Sequence, residues 1–104
     1  MNIAGLSVSE GDLLVRLVWK NSLAPGEAQN LFSDINARVT LSIATFELKV
    51  AGVNRAVAVF RGMHFNLSDA RKSKALLKEF VNKANEIAAA YKTSLKVENI
   101  FRKN

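Results

Sequence analysis

The sequence predicts a single small α+β domain, an antiparallel sheet covered on one face by two helices. Three observations predict it. Several short segments rich in Val, Leu and Ile alternate in hydropathy with a period of two. One long segment around residue 80 repeats apolar residues at helical spacing. A chain of 104 residues, 49% hydrophobic and 23% charged, has ordinary globular composition and is long enough for one core.

The first clear strand is "DLLVRLVWK", residues 12–20, with Leu13, Val15, Leu17 and Trp19 on one face. Leu14, Arg16, Val18 and Lys20 occupy the other, which is only partly apolar. Ahead of it, "NIAGLSV" can pair back across "SEGD" as an extra N-terminal strand, with Gly11 in the turn. "SLAPGEAQNLFSDINA" reads as a short helix. Pro25 suits its first position, Glu27 suits its first turn, and Ala28, Leu31, Phe32 and Ile35 make one buried stripe.

Residues 38–50, "RVTLSIATFELKV", read as a strand with a change of phase. Val39, Leu41 and Ile43 share one face, whereas Phe46, Leu48 and Val50 have the opposite parity. A bulge near Ala44–Thr45 would restore a single apolar face; the plainer alternative is burial on both sides. "AGVN" then turns the chain into residues 55–65, and the two strands should pair as an antiparallel hairpin. Arg55, Val57, Val59, Arg61 and Met63 lie on one side of the second strand, expected to be open to solvent. Ala56, Ala58, Phe60, Gly62 and His64 lie on the other, where the small residues Ala56, Ala58 and Gly62 leave room for a helix to approach closely.

Ser68 is a natural N-cap for a helix over residues 69–92, whose stripe runs through Ala70, Ser73, Leu77, Phe80, Ala84, Ile87 and Tyr91. "SLKVENIF" closes the chain as a strand, and the final "RKN" should fray. The order is therefore β-α-β-β-α-β, that of a ferredoxin-like two-layer sandwich with two helices on one face of the sheet. If the short helix is instead a loop, a four-stranded meander followed by the long helix results.

Charge is the main functional clue. Residues 1–52 carry a net −1 and residues 53–104 a net +7, which together make the overall +6. Such a split points the C-terminal half toward a polyanion, nucleic acid (RNA or DNA) or an acidic protein surface. Arg71, Lys74 and Lys78 fall on one stripe of the long helix with Lys72 beside them, where the helix dipole favours acids. Arg55 and Arg61 join them if their sheet face is open. These six are the candidate nucleic-acid-binding residues, and the leading expectation is a non-enzymatic domain gripping phosphates. The alternative is a protein-interaction module, such as an inhibitor, immunity or assembly protein, bound to an acidic partner.

Catalytic and metal chemistry find little support. There are no cysteines and a single histidine, His64, so neither thiolate chemistry nor a His-based metal site can be built. His64 reads as a structural, hydrogen-bonding residue; a ribonuclease using it with Lys or Arg is the enzymatic alternative. The acids are scattered, Glu79 pairing with Lys83 at i,i+4. No cofactor is implied. Comparison with RNA-recognition motifs fails, because "RAVAVFRG" offers one aromatic, Phe60, on the wrong parity relative to Arg55.

No stretch reaches the ~18 apolar residues of a membrane helix, and the N-terminus lacks a signal-peptide pattern. A cytoplasmic chain without membrane partners is expected. A helix of 24 residues would span about 36 Å, longer than a small sheet can cover, so a homodimer is expected to bury the excess.

Overall fold

A strand that must be buried on both faces belongs at the centre of a sheet, and the run "LLVRLVW" has that character. The computed structural model describes residues 2–20, 23–61 and 70–102. In it this run is β3 (Leu13–Trp19), flanked on both sides by antiparallel partners. Before it lie β1 (Asn2–Ile3) and β2 (Leu6–Ser7). After it come α1 (Pro25–Arg38), β4 (Thr45–Val50), β5 (Arg55–Arg61), α2 (Ala70–Ala88), a 3-10 turn at Ala89–Tyr91, and β6 (Leu95–Arg102). The four long strands form one antiparallel sheet in the order β4-β5-β3-β6. His64, Met63, Asp69, the Ser68 cap and the last two residues lie outside the described residues.

Both helices pack on one face of this sheet. Leu13, Val15, Leu17 and Trp19 of β3, with Ala56, Ala58 and Phe60 of β5, meet Leu31, Phe32 and Ile35 of α1 and Leu76, Phe80 and Ala84 of α2. The alanines make room, as their size implies, and aromatic rings fill the rest. Phe80 meets Phe60 edge-on at 5.1 Å and Phe46 at 5.2 Å, while Trp19 tilts against Phe32 at 5.1 Å. Every apolar stripe residue of α2 from Leu76 to Ala88 is at least partly buried within the one chain. Over that length the helix has its apolar face covered by its own chain. It ends at Ala88, and Lys92 takes the left-handed conformation (φ 58°) that lets Thr93 N–H reach the Ala88 carbonyl at 3.2 Å.

Three expectations are corrected. Residues 39–44 are not strand, so no bulge is needed near Ala44–Thr45: the phase changes because the strand begins at Thr45. Val39 and Leu41 are still buried, but the backbone there bonds to α2 side chains in place of a ladder. Glu79 accepts from Ser42 N–H at 3.0 Å, and Lys83 Nζ donates to the Thr40 carbonyl at 2.6 Å. The register shift occurs in β6 instead. Arg16 faces Asn99 and Leu17 faces Val97, leaving Glu98 as the extra residue.

The second correction concerns the N-terminus, which pairs with itself and not with β3. Asn2 faces Ser7 and Ile3 faces Leu6 across a turn in which Ala4 (φ 54°) and Gly5 (φ 83°) both have positive φ, the requirement of a tight two-residue hairpin. The third follows from it. The sheet face away from the helices is not open, because Leu6 and Val8 pack on Leu14, Val57 and Val59. Val57 is 4% and Val59 0% exposed. Two β-branched residues side by side on that face demand a cover, and the hairpin supplies it.

Both sheet edges are pinned by an asparagine. Asn36 of α1 donates to the Leu48 carbonyl (2.8 Å) and accepts from Leu48 N–H (3.1 Å) on β4. Asn85 of α2 does the same to Leu95 on β6, at 3.2 and 2.7 Å. Each amide acts as one residue of a missing neighbour strand, fixing helix to edge and blocking edge pairing there.

Candidate nucleic-acid interface

The six cations singled out by the sequence separate into two groups on opposite sides of the sheet. Arg71, Lys72, Lys74 and Lys78 are exposed on α2, turned away from the stripe of Ser73, Leu77, Phe80 and Ala84 that meets the core. Seven residues at 1.5 Å per residue put Arg71 and Lys78 about 10 Å apart along the helix. The first turn of α2 contains no acid. Among the described residues, none of these four cations is in an ion pair.

The nearest acid on the helix is already engaged. Glu79 takes hydrogen bonds from the Ser42 amide and hydroxyl, and the amide bond above all holds its carboxyl below the usual value of 4.5. Lys83 is turned to Thr40 and lowers the Glu79 value further. Glu79 and Lys83 therefore clamp the loop before β4, and the basic stripe has no acid paired with it among the described residues.

Arg55 and Arg61 sit on the other face, and both have acidic partners. Arg61 Nη2 meets Glu47 at 3.0 Å, and Nη1 lies 3.4 Å from Asp12 and 3.1 Å from the Ser7 carbonyl. One guanidinium thus ties the hairpin, the turn before β3 and the edge strand β4 together. Asp12 also accepts from Ser9 N–H at 2.8 Å, which fixes that turn. Arg55 Nε meets Glu98, the bulge residue of β6, at 3.1 Å.

Sequence reasoning missed a second group around Arg55. An open cleft of about 560 Å³ lies between the hairpin and the turn joining β4 to β5, lined by Ile3, Val50, Gly52 and Val57 and by Arg16, Arg55 and Glu98. Arg16 lies with its guanidinium 5.4 Å from the ring centre of Phe101, itself 45% exposed. The signal was Arg16, the one charged residue inside an otherwise apolar strand.

At the far end of the helices Tyr91 donates a short hydrogen bond to Asp34 of α1, which raises the phenol above its usual 10.0, with burial adding to the effect. No group of acids and histidines able to hold a metal occurs among the described residues. No described helix is long and apolar enough to cross a membrane.

The architecture is that of a small α+β domain with a four-stranded antiparallel sheet and a separate two-stranded hairpin. No protein-family model matches the sequence, and no curated protein does. Among solved structures the chain is similar to the PH0037 protein from Pyrococcus horikoshii, with a TM-score of 0.72 and 21% sequence identity. The match covers 94% of this chain and 30% of that one, and the likeness is one of fold.

Proposed function

We propose that this chain is a small, basic, non-enzymatic nucleic-acid-binding domain that contacts phosphates through Arg71, Lys72, Lys74 and Lys78. The observation that carries the reading is the division among its cations. Arg55 and Arg61 are matched by acids, whereas the α2 stripe has no ion-pair partner among the described residues and begins at a helix end that disfavours positive charge. A polyanion laid along this stripe would turn that cost into attraction. Its scaffold we read as a ferredoxin-like sandwich, supported by the β4-β5-β3-β6 order and by both helices lying on one face. The lack of cysteine supports placing it in the cytoplasm.

Titration of labelled RNA and DNA at two salt concentrations tests the function. Four phosphate contacts on a single strand predict a log–log salt slope of about −2.8. No binding to either at low salt removes the proposal.

The second reading, a module for an acidic protein partner, draws on Ile100 and Phe101, 47% and 45% exposed on the edge strand β6. An acidic protein that copurifies with the chain, with no excess absorbance at 260 nm, favours it. The homodimer expected from the sequence has this edge as its remaining sequence-read route, because the apolar stripe of α2 and the Val57/Val59 face are covered within one chain. A monomer mass by light scattering rules that form of assembly out.

A further inference from the structure

We propose that the cleft between the N-terminal hairpin and the β4–β5 turn is a second anion site, one that takes a phosphomonoester. It lies across the sheet from α2 and does not rest on the reading of that helix.

Two arginines converge on it, each held by a contact that leaves donors free. Arg55 is anchored through Nε by Glu98 at 3.1 Å, and no described residue accepts from its two η nitrogens. That edge is the fork that matches two oxygens of a phosphate. Arg16 has its guanidinium carbon over the Phe101 ring, 5.4 Å from its centre, and its N–H groups have no acceptor among the described residues. The strand register places Arg16 opposite Val57 and Arg55 opposite Val18, so the two arginines are diagonal neighbours on one face, with backbones roughly 7–8 Å apart.

The charge balance favours an anion. Among the described residues Glu98 is the one acid lining the cleft, and it is paired with Arg55. Arg16 has no ion pair among the described residues. Nor has Lys49, whose ammonium lies 3.3 Å from where a Cβ on Gly5 would stand, next in the chain to the lining residues Ala4 and Val50. The remaining wall, Ile3, Val50, Ala51 and Val57, is apolar, and 560 Å³ falls in the usual range of small-molecule sites. Paired donors beside an apolar wall suit a phosphate ester with an organic body, either a free nucleotide or the 5′-phosphorylated end of a strand.

Amide-detected NMR titration of the intact chain tests this with four probes: adenosine, adenosine monophosphate, and a short oligothymidine with and without a 5′ phosphate. Saturable shifts at Gly52, Arg55 and Glu98 with the phosphorylated probes, absent with the unphosphorylated ones, are expected. A response to the mononucleotide alone assigns the site to free nucleotides; a tighter response to the phosphorylated strand assigns it to strand ends. Arg16→Gln and Arg55→Gln should each weaken binding about tenfold or more. Arg55→Lys, which keeps the charge and the fold but lacks the fork, should recover only part of the loss. Replacing Arg71, Lys74 and Lys78 by glutamine should leave these shifts unchanged, which separates this site from the α2 surface. No saturable shift with either phosphorylated probe at low salt, or shifts unaltered in the Arg16 and Arg55 variants, overturns the proposal.

Discussion

Replacing Arg71, Lys74 and Lys78 together by glutamine removes three of the four cations of the exposed α2 stripe while holding helix propensity nearly constant. If the stripe grips phosphates, the salt slope for a single strand should fall from about −2.8 to about −0.7. Between 50 and 200 mM salt the wild type should then lose about 50-fold in affinity and the variant only about 2.5-fold. Stability should move the other way. Lys74 and Lys78 stand i,i+4 and Arg71 and Lys74 i,i+3, so two like-charge contacts of about 0.2–0.5 kcal/mol each are removed. Arg71 also leaves the first turn, where a cation opposes the helix dipole by about 0.3 kcal/mol. Screening at physiological salt reduces the sum to about 0.5 kcal/mol, a rise in Tm of about 2–4 °C. Fluorescence anisotropy at graded salt and thermal melting followed by circular dichroism read both quantities on one preparation. A variant that melts earlier yet keeps the wild-type slope would show that these cations serve the protein's own acids, and the reasoning from an uncompensated stripe would be wrong.

Three further outcomes follow from the packing and the hydrogen bonds. Thr93 is 8% exposed and its hydroxyl has no partner, so Thr93→Val should raise stability in urea by about 1 kcal/mol; a loss would mean the hydroxyl is bonded. Leu6→Ala should cost about 2–3 kcal/mol and increase binding of a hydrophobic dye, because Leu6 covers Val57 and Val59; a change near zero would mean the hairpin does not seat on the sheet in solution. Tyr91 is the only tyrosine, so its alkaline absorbance titration should show a midpoint above 10.0 that Asp34→Asn lowers. Since the folded value is raised, this contribution to stability is complete below pH 10 and fades as pH rises through the folded value, most visibly in urea melts above pH 10.

Wherever one periodicity ran uninterrupted, the sequence was legible on its own terms. The α2 stripe ran unbroken through five turns, so its existence and buried face followed from spacing alone, as did the α1 stripe of Ala28, Leu31, Phe32 and Ile35. The alternation of residues 13–19 and 55–61 likewise determined two central strands, because side chains in a strand must change faces at every residue. The same patterns marked Arg71, Lys72, Lys74 and Lys78 as a solvent-facing row, and the structure keeps them together.

What the sequence could not decide were matters of partner, because a residue's pattern does not name what it meets. Val39, Leu41 and Ile43 alternate like a strand, but α2 takes the backbone groups of residues 40 and 42 through Lys83 and Glu79, some forty positions along the chain. Val57 and Val59 read as an open surface in sequence, but the hairpin Asn2–Ser7 and Val8 fold over them. Arg55 and Arg61 looked equivalent to the helix cations in charge. Only the tertiary fold brought Glu98, Glu47 and Asp12 within reach of them, and it gathered Arg16 and Arg55 around one cleft. Periodicity is set by local backbone geometry, whereas burial and charge compensation depend on which distant segments the chain brings into contact.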